Sequence, residues 1–414
     1  MNQQVTQPGQ RRALVIGASM AGLFATALLR KQGWIVDLFE RSDVELFGRG
    51  AGIVTHSELL AALVESGADI ERLGVAINDR IALDQRDNVI ERLAYPQIVT
   101  SWDRLHQLMR DTIPSEHHHL GCNLQSIEQT EKGVTARFSN GRVEQADLLI
   151  AADGYRSMVR GMYMPSVQPA YAGYVIWRGV ADEADMPLSA KQTIFDKFAF
   201  FLPPKNKIIG YPIPGTDHAL EAGRRRFNWV WYRPVDPRTL EDMLVDEQGN
   251  HHPVSIPPPL VRQALIDELK QAAATTLPPS FSDTLSVIPR PFFTPIYDLY
   301  CPKMVFGRVA LIGDAASVGR PHIGMGVAKA AADAQVLARL AGDPSTTVDE
   351  ALAAFEKERL VDGRRAFERG RTLGEYLLLD EEAGVVNHDD HWREFHSVAG
   401  ILKNTASSDF LKSL

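Results

Sequence analysis

Cysteine is almost absent from this chain. Its 414 residues hold two, Cys122 and Cys301, and neither belongs to a C-x-x-C pair. That excludes a disulfide framework, a dithiol redox centre and a thiolate metal knuckle, and it points to a reducing, cytoplasmic setting in which each thiol only packs. Long apolar runs are missing too. No stretch reaches the length of a membrane span, and the polar residues 1–12 lack the apolar core of a signal peptide, so no membrane partner is expected. Positive charge is outnumbered, with 44 Lys and Arg against 52 Asp and Glu. No basic stripe appears, and nucleic acid is excluded as a partner. Internal repeats and low-complexity segments are also lacking. What remains, 45% hydrophobic and 23% charged residues, is the composition of an ordinary globular enzyme, long enough for one large or two intimately joined domains.

Three stretches carry the chemistry. The first is the apolar run Ala13-Leu-Val-Ile, followed by Gly17-Ala-Ser19-Met20-Ala21-Gly22, a helical pattern to Lys31, and a second apolar run from Trp34 to Phe39 that ends at Glu40-Arg41. Strand, glycine turn, helix and strand, with an acid at the second strand end, is the dinucleotide fingerprint in its proper context, and Glu40 stands where a ribose is bound. Ser19 replaces the middle glycine; its small side chain still lets a pyrophosphate approach. The second stretch, Asp147-Leu-Leu-Ile-Ala-Ala-Asp153-Gly154, repeats the logic of a strand running into an acidic turn and a helix start. The third is Arg308-Val-Ala-Leu-Ile-Gly313-Asp314, followed by a glycine turn at Gly324-Met325-Gly326 and the Ala-rich helical pattern Val327 to Leu340. Asp314 can accept from a ribityl-type hydroxyl, and the free amides of the helix start face negative charge. Distant segments that all suit one large cofactor point to FAD rather than NAD. The dense glycines of Gly48-Arg49-Gly50-Ala51-Gly52-Ile53 fit close approach to a flat ligand, the alternative being a plain flexible loop. Arg104, in the first turn of the helix after Ser101, can pair with a pyrophosphate; otherwise it is a solvated helix arginine.

Elsewhere the pattern changes. From Tyr171 to Pro295, aromatic and β-branched runs of period two alternate with Pro and Gly, as in an antiparallel sheet forming a substrate-facing wall. The proline-rich loop from Gly249 to Pro259 is a candidate lid. His117-His118-His119 is read as surface, without a metal. The expected divisions are 11–165 and 296–345 as two parts of a Rossmann-like FAD-binding domain, 166–295 as an antiparallel-sheet substrate domain interleaved with it, and 346–414 as C-terminal helices. The fold class is α/β.

Gly17-x-Ser19-x-x-Gly22, Asp153-Gly154 and Gly313-Asp314, in this order across most of the chain, resemble the single-component FAD-dependent aromatic hydroxylases, the p-hydroxybenzoate hydroxylase-like group. Tyr171-Ala-Gly-Tyr174-Val-Ile-Trp177-Arg178-Gly179, Asn228-Trp229-Val-Trp231-Tyr232-Arg233 and Gly313-Asp-Ala-Ala-Ser-Val-Gly-Arg320-Pro321-His322 resemble its 2,6-dihydroxypyridine 3-hydroxylase branch. Ser19 recurs in that branch, whereas His56 stands where it has glutamine. The resemblance implies an FAD-dependent monooxygenase that hydroxylates an electron-rich hydroxylated ring, such as a hydroxypyridine. NAD(P)H, a transient visitor without its own domain, and O2 would be consumed through a flavin C4a-hydroperoxide. It also implies a small aromatic or heteroaromatic substrate and a homodimer. Ring activation needs a proton acceptor or donors to the ring anion; His322, Tyr211 and His56 are the candidates. A related flavin epoxidase or N-hydroxylase, or a non-catalytic FAD-binding protein, shares the same motifs. A halogenase is disfavoured because Arg233 occupies the isoleucine position of its signature. The exact substrate, the ring position attacked, the choice of nicotinamide and the oligomeric state stay open.

Overall fold

The computed structural model describes residues 10–46, 52–131, 133–378 and 389–409. The 48–51 portion of the expected glycine loop lies outside these.

Two large sheets and one small one make up the β structure among the described residues. The first has six strands, in the order Val305–Phe306, Val309–Leu311, Leu148–Ala151, Arg12–Ile16, Ile35–Phe39, His118–His119. Its four central strands run parallel. They read as continuous apolar runs because the sheet is buried between helices and a small antiparallel sheet, Leu124–Thr130, Gly133–Phe138 and Val143–Ala146, whose Phe138 stacks on Phe39. Helix Met20–Lys31 follows the first strand, and its neighbour is the helix Gly326–Gly342. One consequence is decisive for function. Gly17, Glu40, Asp153 and Gly313-Asp314 each follow the carboxyl end of one of four adjacent parallel strands, so motifs far apart in the chain share one edge. The histidine tract is not a loose surface loop. His118–His119 adds an edge strand, and His117 and His119 both hold the Asp37 carboxylate at 3.1 Å. Burial would raise the Asp37 pKa, but the hydrogen bonds from His119 and Arg12 outweigh it and hold the group well below its ordinary value.

The second sheet has nine strands, in the order Ser317–Val318, Phe292–Tyr300, Ala170–Asp182, Arg226–Pro234, Lys207–Ile213, Phe198–Phe201, Val75–Leu83, Val89–Ser101, Gly52–Val54. It therefore recruits three strands from 52–101, a region expected to belong to the first FAD-binding part. Phe198–Phe201 has an open edge, and Val75–Leu83 fills it in parallel. No local pattern could reveal that long-range pairing. Period two sorts this sheet into two faces. Trp177, Trp229, Trp231 and Phe227 turn away from the first sheet and are buried with Ile266, Leu269, Phe281 and Leu285 of two covering helices. Ile176, Arg178, Ile209, Tyr211, Val230 and Tyr232 occupy the other face.

Helix Val348–Gly374 opens with a capping box in which Thr347 and Glu350 satisfy each other's backbone. The final segment forms two short helices, Asp390–Phe395 and Val398–Asn404. Two buried cations then fasten it to the second sheet. Arg80 donates to the carbonyls of Leu402 (2.6 Å), Thr405 (2.5 Å) and Ala406 (3.1 Å), with its guanidinium 3.7 Å from the centre of the Tyr95 ring. Lys207 donates to Thr405 Oγ1 at 2.7 Å. Cys122 and Cys301 are both buried. No helix among the described residues is long and apolar enough to cross a membrane.

This clamp has two measurable consequences. Arg80→Met leaves three carbonyls without their donor, at about 1–3 kcal/mol for each that water cannot reach. A clear fall in the unfolding midpoint and faster proteolysis at 398–409 are expected; unchanged values would show that Arg80 is not the fastener. Burial, aided by the charge of Arg80, pushes Lys207 down to about 7 from 10.5. Between those values the unfolded chain binds the extra proton, so the Lys207 contribution to stability rises with pH by about 1.4 kcal/mol per unit, and it is flat below about 7. Lys207→Met should flatten that window in urea titrations across pH; an unaltered slope would refute the assignment.

Candidate active site

A cavity of about 490 Å³ lies between the two sheets. Its cofactor end is built from the strand-end motifs. Gly17 has φ +102°, and a Cβ there would sit 2.5 Å from the Ala152 carbonyl oxygen. A Cβ on Gly22 would sit 1.8 Å from the Gly17 oxygen, so the turn closes only with both glycines. Ser19 N-caps the helix without a side-chain capping bond, and Ser19, Met20 and Ala21 line the cavity. Glu40 is buried, accepting from Ala18 N and Ser42 N at 3.0 Å each. It thus braces the glycine loop from behind. Asp153 caps the short helix after it, accepting from Met158 N at 2.8 Å and Val159 N at 3.2 Å, while Gly154 lines the cavity. Arg41 is exposed and does not line the cavity. Arg104 Nε donates to the Arg72 carbonyl at 3.2 Å, and Arg104 is not among the residues that line this cavity. Helical rotation puts Trp102 and His106, stacked at 4.6 Å, on the inner side, and Trp102 lines the cavity in its place.

The Gly313-Asp314 turn is held from beneath. Gly313 N donates to Asp333 Oδ2 at 2.9 Å, and Lys329 Nζ donates to the Gly313 carbonyl at 2.9 Å. Arg359 donates to the other Asp333 oxygen at 2.8 Å. Gly313 itself lies against Ala21, where a Cβ would approach to 2.7 Å. This leaves the Asp314 side chain accessible from the cavity, while the protein around it raises its pKa by desolvation against the pull of Lys329. Gly324, at φ +60°, turns the chain into the helix that starts at Gly326, and nothing lies within 4 Å of a Cβ built on Gly326. An open glycine at the start of a 17-residue helix presents free amides and a partial positive charge to the cavity. An acid suited to polyol hydroxyls, a glycine turn for a pyrophosphate and an amide-rich helix start for a flat polar ring fit FAD.

The other end is walled by the second sheet. Phe292, Arg178, Val230 and Ile209 form one cross-strand row, and Thr294 and Tyr232 belong to the next. Gly52 lies against Tyr211: a Cβ there would meet its ring at 2.4 Å. Ile53 lines the cavity beside it. Burial raises the pKa of Tyr211 well above the ordinary phenol value and pushes Tyr232 up to about 12, in both cases opposed by the charge of Arg178. Thr405 and Ala406, from the fastened C-terminal segment, close the wall.

Of the three residues expected to activate a ring, Tyr211 lines the cavity. His322 and His56 do not. His322 is fully buried behind Tyr232, stacked on its ring at 4.6 Å, with Nε2 3.0 Å from the Tyr174 hydroxyl. Burial first, then Lys207 and Arg320, hold it far below its usual pKa and therefore neutral. His56 Nε2 lies 3.3 Å from the Gly324 carbonyl, where it supports the glycine turn. Both were expected at the site because they flank it in sequence; the backbone at Pro321 and Gly324 reaches the cavity, and their rings point into the packing behind. The 249–259 loop does not line the cavity either, and Asp246 ties its start through Gln248, Asn250 and His252. Sequence reasoning missed Arg178, Tyr232 and Thr405. Period two through Tyr174, Ile176 and Arg178 was a usable signal for the first, whereas the third depends on how the C-terminus folds back.

A cradle of this kind, beside an aromatic-lined wall, is that of a flavoprotein oxygenase. A family model described as FAD binding domain-like matches residues 171–298. The 2,6-dihydroxypyridine 3-monooxygenase of Paenarthrobacter nicotinovorans is 33% identical over 336 residues, covering 80% of this chain and 83% of that protein. The 6-hydroxynicotinate 3-monooxygenase of Bordetella bronchiseptica is 25% identical over 400 residues, covering 93% and 92%. The solved structure of 2,6-dihydroxypyridine-3-hydroxylase from Arthrobacter nicotinovorans superposes with a TM-score of 0.84 at 30% identity, over 93% of this chain and 96% of that one. The chain belongs to the single-component FAD-dependent aromatic hydroxylases. It is an FAD-dependent monooxygenase, and NAD(P)H and O2 are the co-substrates of its family.

Asp314→Ala removes the cavity-facing carboxylate without touching the turn's supports. It should yield folded protein largely free of flavin, read from the visible absorbance after gel filtration. Asp333→Ala should lose flavin and also about 3–5 kcal/mol of stability, because two buried cations lose their shared anion. Full flavin content in Asp314→Ala would remove that residue from the cofactor site.

Proposed function

We propose that this enzyme hydroxylates a hydroxypyridine or a closely similar hydroxylated heteroaromatic ring. The observation that carries the reading is the wall opposite the Gly324–Gly326 turn. There Phe198, Ile209 and Phe292 provide flat apolar surface, and the two phenols Tyr211 and Tyr232 provide hydrogen-bonding points. Such a slot suits a planar ring carrying oxygen substituents. Both relatives named above are, by their names, monooxygenases of hydroxypyridine-type rings.

FAD, once bound and reduced by NAD(P)H, would activate O2, which is the source of the oxygen atom transferred to the ring. The chain supplies the surroundings. Gly17, Ser19, Glu40, Asp153 and Asp314 would hold the nucleotide and ribityl portions, and Gly52, Ile53 and the 324–326 turn would hold the ring system. The start of helix Gly326–Gly342 would stabilise negative charge on that ring system. The apolar wall excludes water, which protects a reactive oxygen from wasteful breakdown. Tyr211, kept protonated by burial, donates a hydrogen bond to a ring oxygen and orients the ring. The cytoplasmic setting and the homodimer belong to this reading and rest on cysteine usage and family resemblance.

The test is NAD(P)H oxidation by the holoenzyme across a panel of hydroxypyridines and phenols, with hydrogen peroxide measured in parallel. One hydroxypyridine should stimulate oxidation with little peroxide. Stimulation only by carbocyclic phenols would overturn the heteroaromatic assignment. Tyr211→Phe should keep its flavin and lower coupled turnover about 10–100-fold, the usual scale for a lost orienting contact. Wild-type turnover in this variant would place Tyr211 outside the reaction.

A further inference from the structure

We propose that Arg178 receives an anionic oxygen of the aromatic substrate, so that the ring is bound and activated as its oxyanion by charge pairing rather than by a histidine base. The inference deepens the reading above and rests on it for the aromatic nature of the ligand.

Among the described residues, three charged side chains line the cavity: Asp314, Arg320 and Arg178. Asp314 belongs to the cofactor end. Arg320 is already committed to Asp298, through contacts of 2.8 and 2.6 Å. Arg178 makes no hydrogen bond or ion pair among the described residues. It projects from the middle of strand Ala170–Asp182, flanked across the ladder by Val230 and Phe292. Arg178 is half-buried, and its guanidinium carries only N–H donors, so an acceptor entering the cavity, above all an anionic one, can meet them. Its fixed, always-charged fork suits an oxyanion. The Tyr211 and Tyr232 phenols feel its charge, and their protonated hydroxyls add two neutral donors at the same end.

Among the described residues, the rest of the cavity holds no competing base for this task. His322 is behind Tyr232 and His56 is behind the Gly324 turn, while Lys207 is spent on Thr405. The proton balance is simple. The O–H bond of the free hydroxylated ring breaks in solution, the proton goes to bulk water, and the oxyanion binds to Arg178. Pairing with a cation lowers the pKa of the bound ring hydroxyl and keeps electron density on the carbons to be attacked. The cation thus also sets specificity, favouring rings that ionise and rejecting their neutral O-methyl analogues.

The experiment uses FAD-loaded wild type, Arg178→Met and Arg178→Lys, compared at equal flavin content. Each is titrated with 4-nitrophenol and with 2,6-dihydroxypyridine, following flavin and ligand absorbance. For 4-nitrophenol, titrations are made at about pH 5 and about pH 9, on either side of phenol ionisation. Wild type should bind the nitrophenolate more tightly than the neutral phenol, and the apparent pKa of the bound probe should fall below its value in water. Arg178→Met should weaken binding of the anion about 10–100-fold with little effect on the neutral form, and should abolish the downward pKa shift. Arg178→Lys should restore part of both. Nitrophenolate binding that depends on Arg178, with no binding of 2,6-dihydroxypyridine, would sustain the inference and remove the hydroxypyridine reading. Failure of both anions to bind wild type, or equal weakening of anion and neutral phenol in Arg178→Met, would overturn it.

Discussion

The carboxylate of Asp333 lies fully buried beneath the cofactor end of the cavity, and the site is organised upward from it. One oxygen takes the Gly313 amide and touches Lys329; the other takes Arg359. Lys329 in turn holds the Gly313 carbonyl. Burial alone would raise the Asp333 pKa, and the two cations reverse that shift and keep it ionised. A buried ion network of this kind adds little net stability once desolvation is counted. Its contribution is positional: it grips both polar groups of one residue whose neighbour, Asp314, must stay free. The helix carrying Lys329 and Asp333 also begins the amide-rich turn at Gly326, so the acid and the helix start move as one body.

The opposite wall depends on a different economy. A strand has two faces, and this sheet divides its aromatic residues between them. Trp177, Trp229 and Trp231 bury their surface under helices, with the Trp229 indole donating to the Phe281 carbonyl at 3.0 Å. Their large area makes that side a core. The alternate residues then need only cover a cavity, which frees Arg178, Tyr211 and Tyr232 for recognition. Behind them His322, Tyr174 and Lys207 form a tightly packed backing whose charge and hydrogen bonds stiffen the wall without entering it.

The C-terminal segment joins the two halves. Ala406 N donates to the His322 carbonyl at 2.8 Å, and the Ala406 side chain closes against Gly324, where a Cβ would lie 2.7 Å away. Arg80 and Lys207 fix it from the sheet side. Residues near the chain's end therefore touch the cofactor turn and line the cavity, so the tail is part of the site and not a covering.

Local pattern alone determined the parallel sheet, the glycine turns and the acidic strand ends. Apolar runs, turn glycines and helix starts are short-range signals, and Gly17, Gly22, Asp153 and Asp314 occur where backbone sterics and hydrogen bonding demand them. The resemblance carried by those motifs extended this to FAD and to oxygenation. Tertiary structure decided which side chains face the cavity. A ring points forward or backward according to turns and rotamers that sequence spacing leaves open, so His56 and His322 went behind the site while Tyr211 faced it. Helical rotation set Trp102 on the cavity and Arg104 beside the Arg72 carbonyl. Only long-range pairing could add the strands of 52–101 to the second sheet, and only chain closure could bring Thr405 to Lys207, because those contacts join residues whose separation in sequence leaves no local trace.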